Sequence, residues 1–346
     1  MHYSWKAGLL AGVLATQASF ATMAAAETAE EFYDRHDITL IVGAAAGGGA
    51  DFYARQFVPM LEKHIPGHPR IIVQNLPGAS GMTAAIQLQN SAPRDGTVIA
   101  MLQRNNLYLP LVSQVSVEFD PREVNWLGSL NKEIYTVAVM SDSEAKTADD
   151  LFKVAVPTGA TSYANENRVI PALMNQYYGT KFEIITGYEG ADAMTLALER
   201  GEIEARMLPV DNLLGYGNEA PWFKEGRIKV LMQTAVNPSS QIPDAPNLLD
   251  FTKDPEIKAL TEFVLLPMEA GRPFAAPPDV PAERLEALQK AFVDAAGDPE
   301  YVAQMEKIAN TPTPISGPDV TKIVEQLYGA SDTVLNSARA LVNPPS

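Results

Sequence analysis

The chain has 346 residues and no cysteine, and its 42 Asp and Glu against 26 Lys and Arg give a net charge of −16. The missing cysteines exclude a disulfide framework and a lipid-anchored cysteine, and the acidic balance argues against nucleic acid or an anionic membrane surface as partner. The length exceeds what one hydrophobic core holds and predicts two lobes.

In chain order, the first segment reads as a targeting signal. Lys6 precedes an apolar stretch over residues 7–20, and Met23-Ala24-Ala25-Ala26 offers small residues for cleavage before Glu27. The apolar run is shorter than the roughly 20 residues of a membrane span, so residues 1–26 read as a secretory signal peptide. The mature chain is then a periplasmic protein, not itself membrane-embedded. Its loss removes one Lys and no acid, which takes the charge from −16 to −17. An anionic ligand must therefore be attracted locally, against the global field.

The β-branched run Ile38-Thr39-Leu40-Ile41-Val42-Gly43 predicts a strand. It stops at Ala44, Ala45, Ala46, Gly47, Gly48 and Gly49, and a helix follows through Phe57 that Pro59 is expected to kink or interrupt. Asp51 reads as the helix N-cap. A strand, a bare loop and a helix start aim unpaired backbone N–H groups at whatever sits above the strand, a cradle for a carboxylate or phosphate.

Strand Ile71-Ile72-Val73-Gln74, the turn from Asn75 to Gly81, a helix from Met82 to Leu88 and a strand from Thr97 to Leu102 repeat the pattern. Further strands are predicted over 134–140, 153–156, 182–186, 203–208 and 228–233, with helices ending at Gly179 and Gly201. Thr158, Gly159, Ala160, Thr161 and Ser162 open one of those helices, and Tyr188, Gly190, Ala191 and Asp192 open another. From Asn237 the composition turns to Pro, Ser and Asp, which predicts a return crossover. A short buried strand at Arg272–Pro277, a helix from Pro281 to Gly297 and helical periodicity over 318–341 close the chain. Alternating strands and helices predict parallel sheets with ligands at the carboxyl ends of the strands.

Enzyme chemistries fail on particular residues. Phe52 stands where a dinucleotide fingerprint needs its last Gly, Gln74-Asn75 stand where it needs an acid, and Gly49-Ala50 replace the Lys and Ser or Thr of a P-loop. Gly78-Ala79-Ser80-Gly81 is not a nucleophile elbow, and no His follows it in the chain as a base. His64 and His68 have the spacing of helical metal ligands, but Pro66 and Gly67 break any helix between them, so they read as turn residues. No metal or cofactor is expected. Arg104 and Arg206, near strand ends, read either as bidentate partners of a ligand carboxylate or as salt-bridge partners of the many acids. Tyr53, Asn105 and Tyr188 read as walls of the cleft or as core-edge residues.

Several stretches together resemble the Bug or TctC-type substrate-binding proteins of tripartite tricarboxylate transporters. They are residues 41–55, 73–81, 92–97, 187–190, 198–203 and 271–278, in that order. The resemblance implies an α/β, two-domain periplasmic-binding-protein (venus-flytrap) fold, each lobe a mainly parallel sheet flanked by helices. It implies residues 27–127 plus 241–346 as domain 1 and 128–240 as domain 2, with the cleft between them. It further implies ligand carboxylates held by backbone groups of Ala44 to Gly49, Thr158 to Ser162 and Tyr188 to Asp192. The family's widespread first loop is Pro-rich and ends in Gly-Gly-Ser-Thr-Asp, whereas this one ends in Gly47-Gly48-Gly49-Ala50-Asp51, so hydroxyl contacts there do not transfer. The reading is a non-enzymatic, monomeric receptor that captures a small organic carboxylate and delivers it to integral-membrane transporter subunits. A sensing module docking on a signalling receptor is the alternative, and an exported hydrolase would need a nucleophile and base that the sequence does not show.

Overall fold

The structure, a computed structural model, describes residues 1–2, 27–114, 116–308 and 310–343. The signal-peptide expectation falls almost wholly outside these residues. No described helix is long and apolar enough to cross a membrane.

Two sheets carry the fold. The first is built from β1 (Ile38–Val42), β2 (Ile71–Asn75), β3 (Val98–Met101) and β4 (Asn125–Ser129). The chain then forms the whole second sheet with β5 (Tyr135–Met140), β6 (Val156–Gly159), β7 (Phe182–Ile185), β8 (Ala205–Pro209) and β9 (Ile228–Thr234). It returns to complete the first with β10 (Pro273–Ala276) and β11 (Ile315–Ser316). The strand orders are β11-β4-β10-β3-β1-β2 and β7-β6-β8-β5-β9. Both sheets are mixed. Parallel pairing joins β1 to β2 and β3, and β6 to β7 and β8, while β10 and β5 run antiparallel to both their neighbours. The α/β class is as expected, but parallel pairing holds only within β1–β3 and β6–β8; the return strands β10 and β11 reverse it in the first sheet and the entering strand β5 in the second.

Helices cover both faces of the first sheet, which is why β1 is apolar along nearly its whole length. On one face Phe57 meets Phe274, Phe292 and Tyr301 edge-on, with ring centroids 5.6, 5.2 and 5.2 Å away. These rings join helix Gly49–His64 to helix Ala282–Ala296 and to β10. The opposite face shares a core with the second sheet, in which Ile41 and Ala100 pack in one cluster with Val137, Val156 and Met207.

Several element boundaries differ from expectation. Helix Gly49–His64 runs through Pro59 unbroken, because Pro59 and Arg55, whose carbonyl loses its i+4 donor there, lie on the exposed side. The strand expected at 153–156 is β6, three residues later, because Ala148–Phe152 forms a 3-10 turn capped by Thr147 and Asp150. The final periodic stretch splits into helices Gly317–Tyr328 and Asp332–Val342, with Ser331 capping the second. His64 is the last residue of its helix, and its Nε2 lies 2.7 Å from Asp298 Oδ2; His68 is an exposed turn residue.

Candidate functional site

A cavity of about 710 Å³ lies where loops of both sheets meet. From the first sheet it receives the β1 loop, the turn 77–81, residues 103–105 after β3, Glu133 and Arg272. From the second it receives Tyr135, residues 161–162 and 165–167, residues 188–191, Met194 and the β8 residues Arg206, Met207 and Pro209.

Three helices begin at its wall. Helix Gly49–His64 has Gly48 as N-cap, helix Glu166–Leu173 has Asn165, and helix Ala191–Glu199 has Gly190, none with a side-chain capping bond. The first amide groups of each helix have no intrahelical acceptor, so the three ends present donors and partial positive charge to the cavity.

The β1 loop is held from behind. Gly43 N–H donates to Met101 O at 3.0 Å and Ala44 N–H to Val42 O at 2.8 Å. Gly47, at φ 82°, donates to Asp51 Oδ2 at 2.9 Å, which makes Asp51 a clamp inside the first helical turn rather than the N-cap expected from sequence. Asn75 Nδ2 donates to Ala44 O at 3.1 Å and to Asp51 Oδ1 at 3.0 Å, and Arg55 Nε to Asp51 Oδ1 at 2.9 Å. Burial acts to raise the Asp51 pKa, but the bonds from Arg55, Gly47 and Asn75 outweigh it and hold the carboxyl below the usual range.

Three buried arginines line the cavity, each set against carboxylates. Arg104 Nη1 lies 2.6 Å from Glu133 Oε2, its Nη2 bonds Glu166 and Tyr135, and its Nε faces Met268 Sδ at 3.2 Å. Arg272 pairs with the other oxygen of Glu133 and stacks on Tyr53, with its guanidinium carbon 4.7 Å from the ring centroid. Arg206 Nη1 lies 2.6 Å from Glu219 Oε1 and donates to Ala191 O at 2.9 Å and to the Thr195 hydroxyl at 3.0 Å. Burial acts to lower the pKa of Arg104, yet Glu133 and Glu166 leave it raised; at Arg206 burial prevails over Glu219 and the pKa is lowered. Arg206 Nε is buried without a partner.

Of the sequence-predicted residues, the structure brings Ala44, Ala45, Gly48, Gly49, Arg104, Asn105, Thr161, Ser162, Tyr188, Gly190, Ala191 and Arg206 to the cavity wall. Ala46 and Gly47 are not among the wall residues, and the Gly47 N–H is spent on Asp51. Thr158 and Gly159 belong to β6, where the Thr158 hydroxyl donates to Val156 O at 2.8 Å, and Ala160 is buried behind them. Asp192 faces outward and accepts from Asn218 Nδ2 at 3.1 Å. Tyr53 lies behind Arg272, and its hydroxyl is 3.2 Å from Asp211 Oδ2, the atom that also accepts from Asn131 at 3.3 Å and Asn310 at 3.0 Å. Burial pushes the Asp211 pKa up and the charge of Glu133 adds to it, against the Tyr53 bond and Arg272.

The sequence reading missed Arg272, Glu133 and Glu166. Their partners lie 139 and 62 positions away (Glu133 to Arg272, Arg104 to Glu166), so no local pattern pairs them. The usable signal was a charge beside an apolar run: Arg272 before Pro273-Phe274-Ala275-Ala276, and Glu133 before the strand at 135–140.

A family model described as tripartite tricarboxylate transporter family receptor, TctC, matches residues 54–337. A curated relative from Cupriavidus necator, described as a UPF0065 protein in the gbd 5' region, is 26% identical over 90% of this chain and 89% of its own length. Among solved structures, the periplasmic binding protein BugD superposes with a TM-score of 0.68 at 16% identity, over 89% of this chain and 99% of that one. MatC from Rhodopseudomonas palustris, solved with bound malate, gives 0.64 at 16% identity, over 87% and 99%. At these identities the solved structures speak for the fold, that of periplasmic solute-binding proteins.

Proposed function

The chain belongs to the tripartite tricarboxylate transporter receptor family, and from that premise we propose that it captures a small organic carboxylate in the periplasm and delivers it to integral-membrane transporter subunits. The observation that carries this reading is the convergence of three uncapped helix N-termini from two sheets on one cavity. An exposed helix end stabilises an anion by about 0.3–1 kcal/mol, and by up to about 2 kcal/mol where solvent is partly excluded. Arg206 adds a charged donor whose Nε has no acceptor among the described residues. The malate bound by MatC is a ligand of the same chemical kind.

The two sheets are the two lobes of a monomer; the boundary expected after residue 127 cuts β4, whose Gly128 and Ser129 pair within the first sheet, so the first crossing lies between Ser129 and Tyr135 and the return after Thr234, and the export signal is residues 1–26. The role is capture without covalent change. The carboxylate meets backbone N–H groups of Ala45, Gly48 and Gly49 on one lobe, those of Ala44 and Gly47 being spent on Val42 O and Asp51, and of Gly190 and Ala191 on the other, and closure of the lobes removes it from water. The wall residues choose among carboxylates, because a backbone donor reads only the head group.

Native mass spectrometry of protein purified from the periplasm, followed by calorimetry with the ligand found, tests capture. Uptake into vesicles holding the membrane subunits tests delivery. A carboxylate that binds but never stimulates uptake moves the protein to the sensing alternative. Stabilisation by sugars or cations, with no carboxylate binding, overturns the reading.

A further inference from the structure

The buried charge of the cavity is balanced before any ligand enters. Arg104, Arg206 and Arg272 face Glu133, Glu166 and Glu219, and all six side chains are 10% exposed or less. Glu189 at the wall adds a negative charge. A first carboxylate on the ligand has the helix ends and Arg206 Nε to receive it. A second would be stripped of water with no uncompensated cation among the described wall residues, which is the costly way to bury a charge.

Asn105 supplies the complementary observation. It follows β3 on the first lobe, lines the cavity and is 4% exposed, and its Oδ1 is sealed from solvent without a hydrogen-bond partner. Neither end of its amide bonds another described residue, whereas neighbouring Asn106 and Gln103 are spent on Ser80 O and Gly43 O. Buried amides are normally satisfied, and an amide is matched by a group that both donates and accepts. A carboxylate only accepts, and a methyl group does neither. Arg206 lies on β8, across the cavity on the other sheet, so one ligand reaching both walls would answer both unpaired groups.

We propose that the ligand is a monocarboxylate whose far end carries a neutral group that donates and accepts hydrogen bonds, a carboxamide or hydroxyl, held by Asn105. The inference rests on the carboxylate reading above and narrows it away from dicarboxylates such as the malate of MatC.

Two series of equal carbon count test it by calorimetry at pH 7: succinate, succinamate and butanoate, then adipate, adipamate and hexanoate. In at least one series the monoamide is expected to bind about tenfold or more tighter than both the dianion and the alkanoate, the worth of one satisfied buried hydrogen bond. Asn105→Leu, or Asn105→Ala if the first does not fold, is expected to remove that advantage, bringing the monoamide and alkanoate Kd values of the variant to within about threefold of each other. A dicarboxylate that binds as tightly as its monoamide in both series overturns the inference and leaves the carboxylate reading standing. So does a monoamide advantage that survives in the Asn105 variant. If none of the six acids binds, the carboxylate reading falls and takes the inference with it.

Discussion

Glu133 is the joint of the cavity floor, and Glu133→Gln is the most informative single change. The carboxylate gives one oxygen to Arg104 and the other to Arg272, and its side chain is 2% exposed. The amide keeps the volume but removes the charge, and one of its ends sets an N–H against a guanidinium cation. Breaking a buried pair from one side costs about 3–5 kcal/mol; because Arg104 keeps Glu166, the lower figure of about 3 kcal/mol applies. At roughly 2–4 °C per kcal/mol for a chain somewhat shorter than this one, the melting temperature should fall by about 6 °C or more. Thermal unfolding followed by circular dichroism reads this directly. Glu189→Gln, at the exposed part of the wall, serves as control and should lie within about 0.5 kcal/mol of the parent. The same change leaves the floor with one uncompensated positive charge, so the preference for monoamide over dianion should shrink in Glu133→Gln. A melting temperature within about 2 °C of the parent, at most about a third of the expected fall, would refute the account of the floor.

Other changes probe other parts of the molecule. Phe57→Ala empties the centre of the ring cluster that joins two helices to β10 and should cost about 3–5 kcal/mol in chemical denaturation; a loss below 1 kcal/mol, roughly one methylene's worth, would mean the cluster collapses around the gap. Asp211→Asn should stabilise the protein near pH 7 and be close to neutral near pH 4. The raised folded pKa of Asp211 gives stability that is present below its unfolded value of about 3.9 and is lost as pH rises through the folded value, whereas Asn keeps an acceptor oxygen for Tyr53, Asn131 and Asn310 at every pH. A variant less stable than the parent at neutral pH would contradict that sign. Gly317→Ala places a Cβ 2.1 Å from the Trp126 carbonyl oxygen and should cost about 1–3 kcal/mol, read as a lower denaturation midpoint. Arg206→Lys keeps a charge for Glu219 but deletes the Nε donor, so carboxylate affinity should drop about tenfold with little change in melting temperature; equal affinity would show that the backbone donors suffice.

The opening β1 loop, the helix starts at Gly49 and Ala191 and most strands were legible because each is announced within a few residues by apolar periodicity or by glycine. β4 was not: Asn125-Trp126-Leu127-Gly128-Ser129 has no β-branched residue, and its strand state is imposed by β10 and β11 on either side. Helix Pro255–Leu265 was overlooked although Asp254 caps it and Pro255 begins it, since the Pro- and Asp-rich surroundings look like loop. At the site, the sequence named Arg104 and Arg206 but left open whether they serve ligand or fold. The answer differs between them because Arg104 spends its donors on Glu133, Glu166, Tyr135 and Met268, while Arg206 keeps one unspent. That distinction depends on residues far away in the chain, which no local pattern encodes.

The strand order of the first sheet also dictates the order in which the protein can be finished. β10 lies between β3 and β4, yet 171 residues of chain separate Met101 from Pro273. A polypeptide released N-terminus first holds every strand of the second sheet, a contiguous stretch from Tyr135 to Thr234, before it holds the strand that bridges the first. Until Pro273–Ala276 arrives, β4 has no neighbour connecting it to β3, and the edge of β3 stays open. The lobe that begins the chain is therefore the last to close, and its unpaired β3 edge is the surface that a chaperone, or another unfinished copy, would meet first.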